Sequence, residues 1–294
     1  MRKIGIVTDS HSGISQKSAS ELGIYVLPMP FYFDGECYFE DKNLSREEFF
    51  KKLSSSSQVT TSQPSPADVM DMWDKALQDY ENIVYIPISS GLSSSCETAC
   101  ALSKDEAYNG RVFVVDNGRV STPLHSSVLD AIELVNEGYS AAEIKHILEA
   151  ARDKMVIYVS VDTLEYLKRG GRINSTTAAI GTLLNIKPVL KFDVGKLDMF
   201  QKCHGLNKAK KTMIEALKND LNTTFKEYYE NGEVKILAAS SAGKETTEEW
   251  AAQIKEEFPG MEVMCDMLSL GVSCHIGPGG LGIGCSCRPK RNLT

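Results

Sequence analysis

The stretch CHIGPGGLGIGCSC, residues 274 to 287, sets three cysteines and a histidine around five glycines and a proline. Residues of these types could ligate a metal, cradle a phosphate, or form a backbone wall that comes close to a ligand. A structural zinc site needs four convergent ligands at familiar spacings. The chain's eight cysteines, at 37, 96, 100, 203, 265, 274, 285 and 287, contain no Cys-x-x-Cys pair, and Cys285-Ser-Cys287 has no second close pair beside it. Cys96 and Cys100 stand one helical turn apart, where small thiols pack as apolar groups. The stretch lacks the Gly-x-x-x-x-Gly-Lys-[Ser/Thr] of a P-loop, and its Gly280, Gly282 and Gly284 do not follow the first strand of a βαβ unit as a dinucleotide fingerprint would. What remains is a run of amides able to approach a ligand, with His275 beside them. No metal and no cofactor is expected.

Ligands of open α/β sheets bind where loops leave the carboxyl ends of strands. Three polar loops fit that place: TDSHSG (Thr8 to Gly13), TTSQPS (Thr60 to Ser65) and ISSGLSSS (Ile88 to Ser95). The last two run into helix N-termini, where backbone amides lack intrahelical partners. Hydroxyls beside such amides suit a carboxylate or a phosphate. Ser65 and Ser93 also fit the plainer role of helix caps. TDSHSG resembles the start of a phosphatase loop with an aspartate nucleophile, but His11 stands where the second acid should be. No Gly-x-Ser-x-Gly elbow supports a Ser-His-Asp triad, so no catalytic residue is assigned. KRGGRI (Lys168 to Ile173) ends a short helix in Gly170-Gly171 and then places Arg172. Arg172 is either an exposed residue after a glycine cap, or an arginine held by a rigid turn toward an anion or a partner's carboxylate.

The elements that must position these loops follow from pattern. KIGIVTD, NIVYIPIS, RVFVVD and MVIYVSV are continuous apolar runs of the kind found in buried strands. IYVLPMPFYF is broken by Pro28 and Pro30 and reads as an edge or irregular strand. Helices are expected from Gln16 to Leu22, after the capping boxes Ser45 to Glu48 and Ser140 to Glu143, and after Ser65-Pro66. KPVLKFDVGKLDMFQK reads as a β-hairpin around Asp193 to Lys196, and a long helix is expected from Asn207 to about Asp220. Strands alternating with helices and no hairpin predict a parallel sheet in the first half; the hairpin makes the second sheet mixed. The expected fold class is α/β, in two α/β domains: 1–154 with a parallel sheet and flanking helices, and 155–294 with a mixed sheet and helices.

At 294 residues, 42% hydrophobic and 24% charged, the chain has material for two ordinary domains with substantial cores. A net charge of −7 and a pI near 5.4 argue against nucleic acid as a partner, and NKAKK (Asn207 to Lys211) reads as the solvated face of a helix. No apolar run approaches the roughly 18 residues that cross a bilayer, so stable membrane insertion is not expected. MRKIGIVTDS enters a strand directly, without the apolar segment or cleavage site of a signal peptide, so a cytoplasmic location is expected, with cysteines as thiols.

IVTDS, TTSQPS, ISSGLS, YLKRGGRI, LNIKPVL and HIGPGGLG together, in this order and over nearly the whole chain, resemble the DegV family. The resemblance implies two α/β domains and a fatty-acid-binding subunit of bacterial fatty-acid kinase. Such a protein presents the bound carboxylate, at the cleft between the domains, to a separate kinase for phosphorylation, and has no catalysis of its own. It places the carboxylate at Thr61 and Ser93, with Ser62 and Ser94 beside them, and at His275 with Gly277 and Gly279. Arg172 is the arginine of the family's Gly-Gly-Arg. The sequence departs from the pattern at Ser94-Ser95, at VDNGRVSTPLH, and at His204, which replaces an arginine of the kinase-docking surface.

The chemistry is consistent with a lipid. A long tail gains about 0.8 kcal/mol per buried CH2, roughly 10 kcal/mol in all, before other costs. Sequestering the carboxylate costs several kcal/mol unless donors meet it. The small-residue helix expected from Thr176 to Ile186 suits a tunnel wall or ordinary core. An alternative from another class is a small-molecule hydrolase or transferase using His275 and a loop serine at the same cleft.

Overall fold

The computed structural model describes residues 2–174, 186–192, 195 and 197–291. The expected helix at Thr176 to Ile186, apart from Ile186 itself, and most of the hairpin turn lie outside the described residues. The chain divides into two compact units, Met1–Arg152 with Pro289–Thr294, and Asp153–Arg288. The expected second domain, 155–294, therefore gives up its last residues to the first unit. Arg291 accounts for this return, pairing with Glu133 at 3.1 Å and Glu137 at 3.3 Å.

In the first unit, β1 (Arg2–Asp9), β2 (Tyr25–Leu27), β6 (Tyr80–Ile86) and β7 (Val112–Val114) form a parallel sheet in the order β2-β1-β6-β7. Both faces are covered, which is why its strands read as unbroken apolar runs. One face packs against α5 (Ser121–Glu137) and α6 (Ala141–Ala150), burying Leu124, Val128, Leu134, Ile144 and Ile147. The other meets α3 (Pro66–Asp79) and α4 (Ser95–Leu102) around Trp73, Tyr85 and Tyr108. The expected helix at Gln16–Leu22, α1, forms, as do the three side-chain caps: Ser45 at α2 (Arg46–Ser55), Ser65 at α3, and Ser140 at α6.

A second, antiparallel sheet of order β4-β3-β5 joins β3 (Pro30–Phe33), β4 (Glu36–Phe39) and β5 (Val59–Thr61). From sequence, β3 falls within the irregular strand and β5 within a loop, and β4 lies in neither. Phe31, Phe33 and Phe49 make the difference. Their rings meet at 5.4–5.9 Å and give these short strands a buried face.

The second unit holds a mixed sheet in the order β10-β9-β8-β13-β11-β12. Its strands are β8 (Met155–Ser160), β9 (Ile186–Phe192), β10 (Asp198–His204), β11 (Val234–Ser240), β12 (Val263–Met267) and β13 (Leu281–Cys287). The hairpin arms pair antiparallel as expected. The helices are α7 (Glu165–Gly170), α8 (Leu206–Asn222), α9 (Lys226–Glu230), α10 (Lys244–Glu257) and α11 (Leu270–Ile276). α8 and α10 bury Met213, Leu217, Trp250 and Ile254 against the sheet, and Trp250 Nε1 donates to Gly282 O at 3.0 Å.

The glycine-rich stretch is thus largely not a loop. Cys274 to Ile276 end α11, and Leu281–Cys287 is a fully buried strand, antiparallel to both β8 and β11. Gly284 allows this: a Cβ there would lie 2.2 Å from Val156 O.

Candidate ligand-binding site

In the first unit the serine-rich loop after β6 is held by three anchors. Ile88 N donates to Asp9 Oδ2 at 2.7 Å, Ser89 N donates to Arg119 O at 2.8 Å, and Ser90 Oγ donates to Asp116 Oδ2 at 2.6 Å. The loop then closes on itself, with Leu92 N and Ser93 N both donating to Ser89 O and Gly91 N to Ser89 Oγ. Ser93 Oγ accepts the Ser95 N–H at 3.2 Å, which leaves its own proton to donate. Ser94 is exposed and is the N-cap residue of α4, without a side-chain cap bond. Ser93 therefore does not cap the helix in the usual way, whereas Ser65 does, reciprocally with Asp68.

Thr61 ends β5, opposite Phe31, and is half-buried. Ser62 is exposed and its hydroxyl donates to Gln63 O at 3.0 Å. Thr98 Oγ1, on α4, donates to Gln63 Oε1 at 3.0 Å. That bond ties the threonine loop to the helix that the serine loop begins, so Thr61 and Ser93 lie on two loops joined within one unit.

The TDSHSG loop is spent on holding its neighbours. Thr8 Oγ1 donates to Ile86 O at 2.7 Å, and Ser10 Oγ accepts from Met29 N at 3.0 Å. Asp9 also accepts the His11 N–H at 2.9 Å, and His11 Nδ1 stands 3.6 Å from its carboxylate. Burial raises the Asp9 carboxyl to about 7, against the pull of the two amide bonds. Asp116 goes the other way. Burial pushes it up, but hydrogen bonds from Ser90 and Arg152 and the charge of Arg152, at 2.5 Å, outweigh that and hold it below the usual range. Sequence reasoning missed Asp9, Asp116, Arg152 and Gln63 as loop anchors. Only the place of the two aspartates at strand ends could have signalled it.

In the second unit, HIGPGG packs on YLKRGG. His275 is half-buried at the end of α11, and its ring lies where a Cβ on Gly170 would fall, 2.0 Å from Nδ1. Gly277 closes α11 at φ 79°, and a Cβ there would lie 2.4 Å from the Tyr166 ring. A Cβ on Gly279 would lie 2.8 Å from Asp162, which pairs with Lys187 at 2.5 Å. Ser241 bridges the turn, donating to Gly277 O at 2.6 Å and accepting from Gly280 N at 2.9 Å. These glycines make room first for the protein's own side chains. Arg172 follows the C-cap Gly171 (φ 67°), and its guanidinium, half-buried, donates back to Gly170 O; burial lowers its pKa. It is a held arginine, not an exposed one. His204 lies exposed at the end of β10, opposite Ile186.

All eight cysteines are free, and the described residues contain no cluster of three or more His, Cys, Asp or Glu able to hold a metal. Among them no helix is long and apolar enough to cross a membrane.

A model of the DegV family, described as uncharacterised proteins, matches residues 3–287. The chain belongs to the DegV family. A DegV domain-containing protein of Staphylococcus aureus is 32% identical over 287 residues, 96% of each chain. Among solved structures, a fatty-acid-binding DegV family protein from Thermus thermophilus is 30% identical with a TM-score of 0.85, covering 98% of this chain and 100% of that one. The DegV fatty-acid-binding protein of Bacillus subtilis is 26% identical with a TM-score of 0.82, at 98% and 100% coverage. The hydroxyl loops lie in the first unit, the serine loop fastened by Asp9 and Asp116 and the threonine loop tied to α4 through Gln63, and the glycine-packed histidine turn lies in the second.

Proposed function

We propose that this chain binds a long-chain fatty acid and presents its carboxylate to a separate kinase for phosphorylation to an acyl phosphate, with no catalysis of its own. The observation that carries the reading is Ser93. Its oxygen accepts the Ser95 amide, and its hydroxyl proton can still be donated to a ligand, on a loop anchored at three points. Support comes from the fatty-acid-binding relatives of Thermus thermophilus and Bacillus subtilis, similar over the whole chain. Thr61 and Ser93 are the carboxylate donors in this reading, with Ser62 and Ser94 at their margin. His275, with Gly277 and Gly279, is a second contact set, and Arg172 and His204 are anion or kinase contacts. Hydroxyl and amide donors meet a carboxylate without a full charge that would oppose release of an acyl phosphate.

Lipid extracted from the purified protein and identified by mass spectrometry is expected to contain a long-chain acid. Ser93→Ala should weaken palmitate binding roughly tenfold, the loss of one donor to a sequestered carboxylate. A lipid-free protein that also ignores palmitate, or a Thr61→Ala/Ser93→Ala double variant of unchanged affinity, sinks the assignment. Acyl-phosphate formation with a fatty-acid kinase subunit, compared with His204→Arg, tests the partner.

A further inference from the structure

The paired glycines of KRGGRI are glycines for different reasons. Gly171 sits at φ 67°, left-handed backbone that favours glycine, and a Cβ there would meet nothing within 4 Å. Gly170 is the last residue of α7, outside the left-handed region, where alanine would serve the helix better. Its requirement is spatial: an added Cβ would strike His275 at Nδ1 (2.0 Å), Cε1 (2.7 Å) and Cγ (3.2 Å). The packing is reciprocal, since one turn earlier on α7 the Tyr166 ring fills the space that a Cβ on Gly277 would need. Each of the two elements thus presents an aromatic ring to a glycine of the other. Gly170 has a second hold, because its carbonyl accepts from the Arg172 guanidinium.

We propose that Gly170 is a positioning residue that seats the His275 imidazole against α7. Its bearing on the ligand rests on the fatty-acid reading above. Its bearing on the ring stands without that reading. A methyl group at position 170 displaces the imidazole, because the three contacts lie along one edge of the ring and cannot be relieved by moving one terminal atom.

The test is a double-mutant cycle read in two ways. Gly170→Ala is expected to weaken palmitate binding about tenfold, and to cost less than about twofold in a His275→Ala background, where the ring is gone. In parallel, NMR of the histidine rings reads position without ligand. Gly170→Ala should shift the His275 ring signals while those of His125, His146 and His204 stay in place. Gly171→Ala, which strains the backbone but touches nothing, should lower stability and leave the His275 signals alone. Equal losses in both backgrounds, or an unmoved His275 signal in Gly170→Ala, overturn the proposal. If wild type binds no palmitate, the fatty-acid reading fails by itself, and the NMR comparison still decides the seating of His275.

Discussion

Asp9 is a fully buried side chain of the first unit that holds two segments at once. Its two oxygens take the N–H groups of Ile88 and His11, so one buried carboxyl fixes both its own loop and the start of the serine loop. Asp9→Ala leaves both amides without their acceptor and should destabilise by at least about 2 kcal/mol in urea unfolding. The carboxyl also confers a pH dependence of definite sign. Its pKa is raised from 3.8 to about 7, so between those values the folded chain keeps a proton the unfolded chain has released. Its contribution to stability therefore falls as pH rises through that window and is level above it. Asp9→Asn removes the titration, so the wild-type minus variant stability should decline from about pH 4 to about pH 7. A difference that stays flat across that range contradicts the raised pKa.

At the scale of elements, β13 shows what a pattern of glycines can mean. Gly284 lies against the backbone of β8, with Val156 O at 2.2 Å from the position of a Cβ, whereas Gly282 has its nearest atoms at 3.5 and 3.6 Å. Gly284→Ala should therefore cost about 3 kcal/mol or more, and Gly282→Ala within about 1 kcal/mol, in thermal melts. Similar costs would show that the strand relaxes around either site. The same strand marks where sequence reading stopped. The runs at β1, β6 and β8 were legible because both faces are apolar, and Ser45, Ser65 and Ser140 announced their helices through capping chemistry. LGIGCSC alternates glycine with small or apolar residues and carries too little bulk to announce a core strand, although every residue of it is buried. β4 and β5 were hidden too, since their pairing depends on an aromatic cluster assembled from distant residues. Of the proposed site, the hydroxyl loops and His275 are the parts that sequence motifs single out. Their anchors are not among them, because Asp116 and Arg152 are brought together across 36 positions by the fold alone.

At the scale of the whole molecule, the second unit is one continuous segment, Asp153–Arg288, with its own sheet and core. Expressed as residues 153–288, it should fold cooperatively, with a single thermal transition and mixed α/β circular dichroism. A fragment that stays unfolded where the full chain is folded would show that the unit depends on the rest. The first unit is discontinuous, since Arg291 returns to Glu133 and Glu137 on α5. The order of strands has a further consequence, for synthesis. β13 is made after every other strand of its sheet, yet it lies between β8 and β11. Until it emerges, the β8-β9-β10 and β11-β12 halves wait as two open-edged pieces, exposed to mispairing with other chains. Any interruption of translation before Leu281 thus leaves a sheet missing its middle.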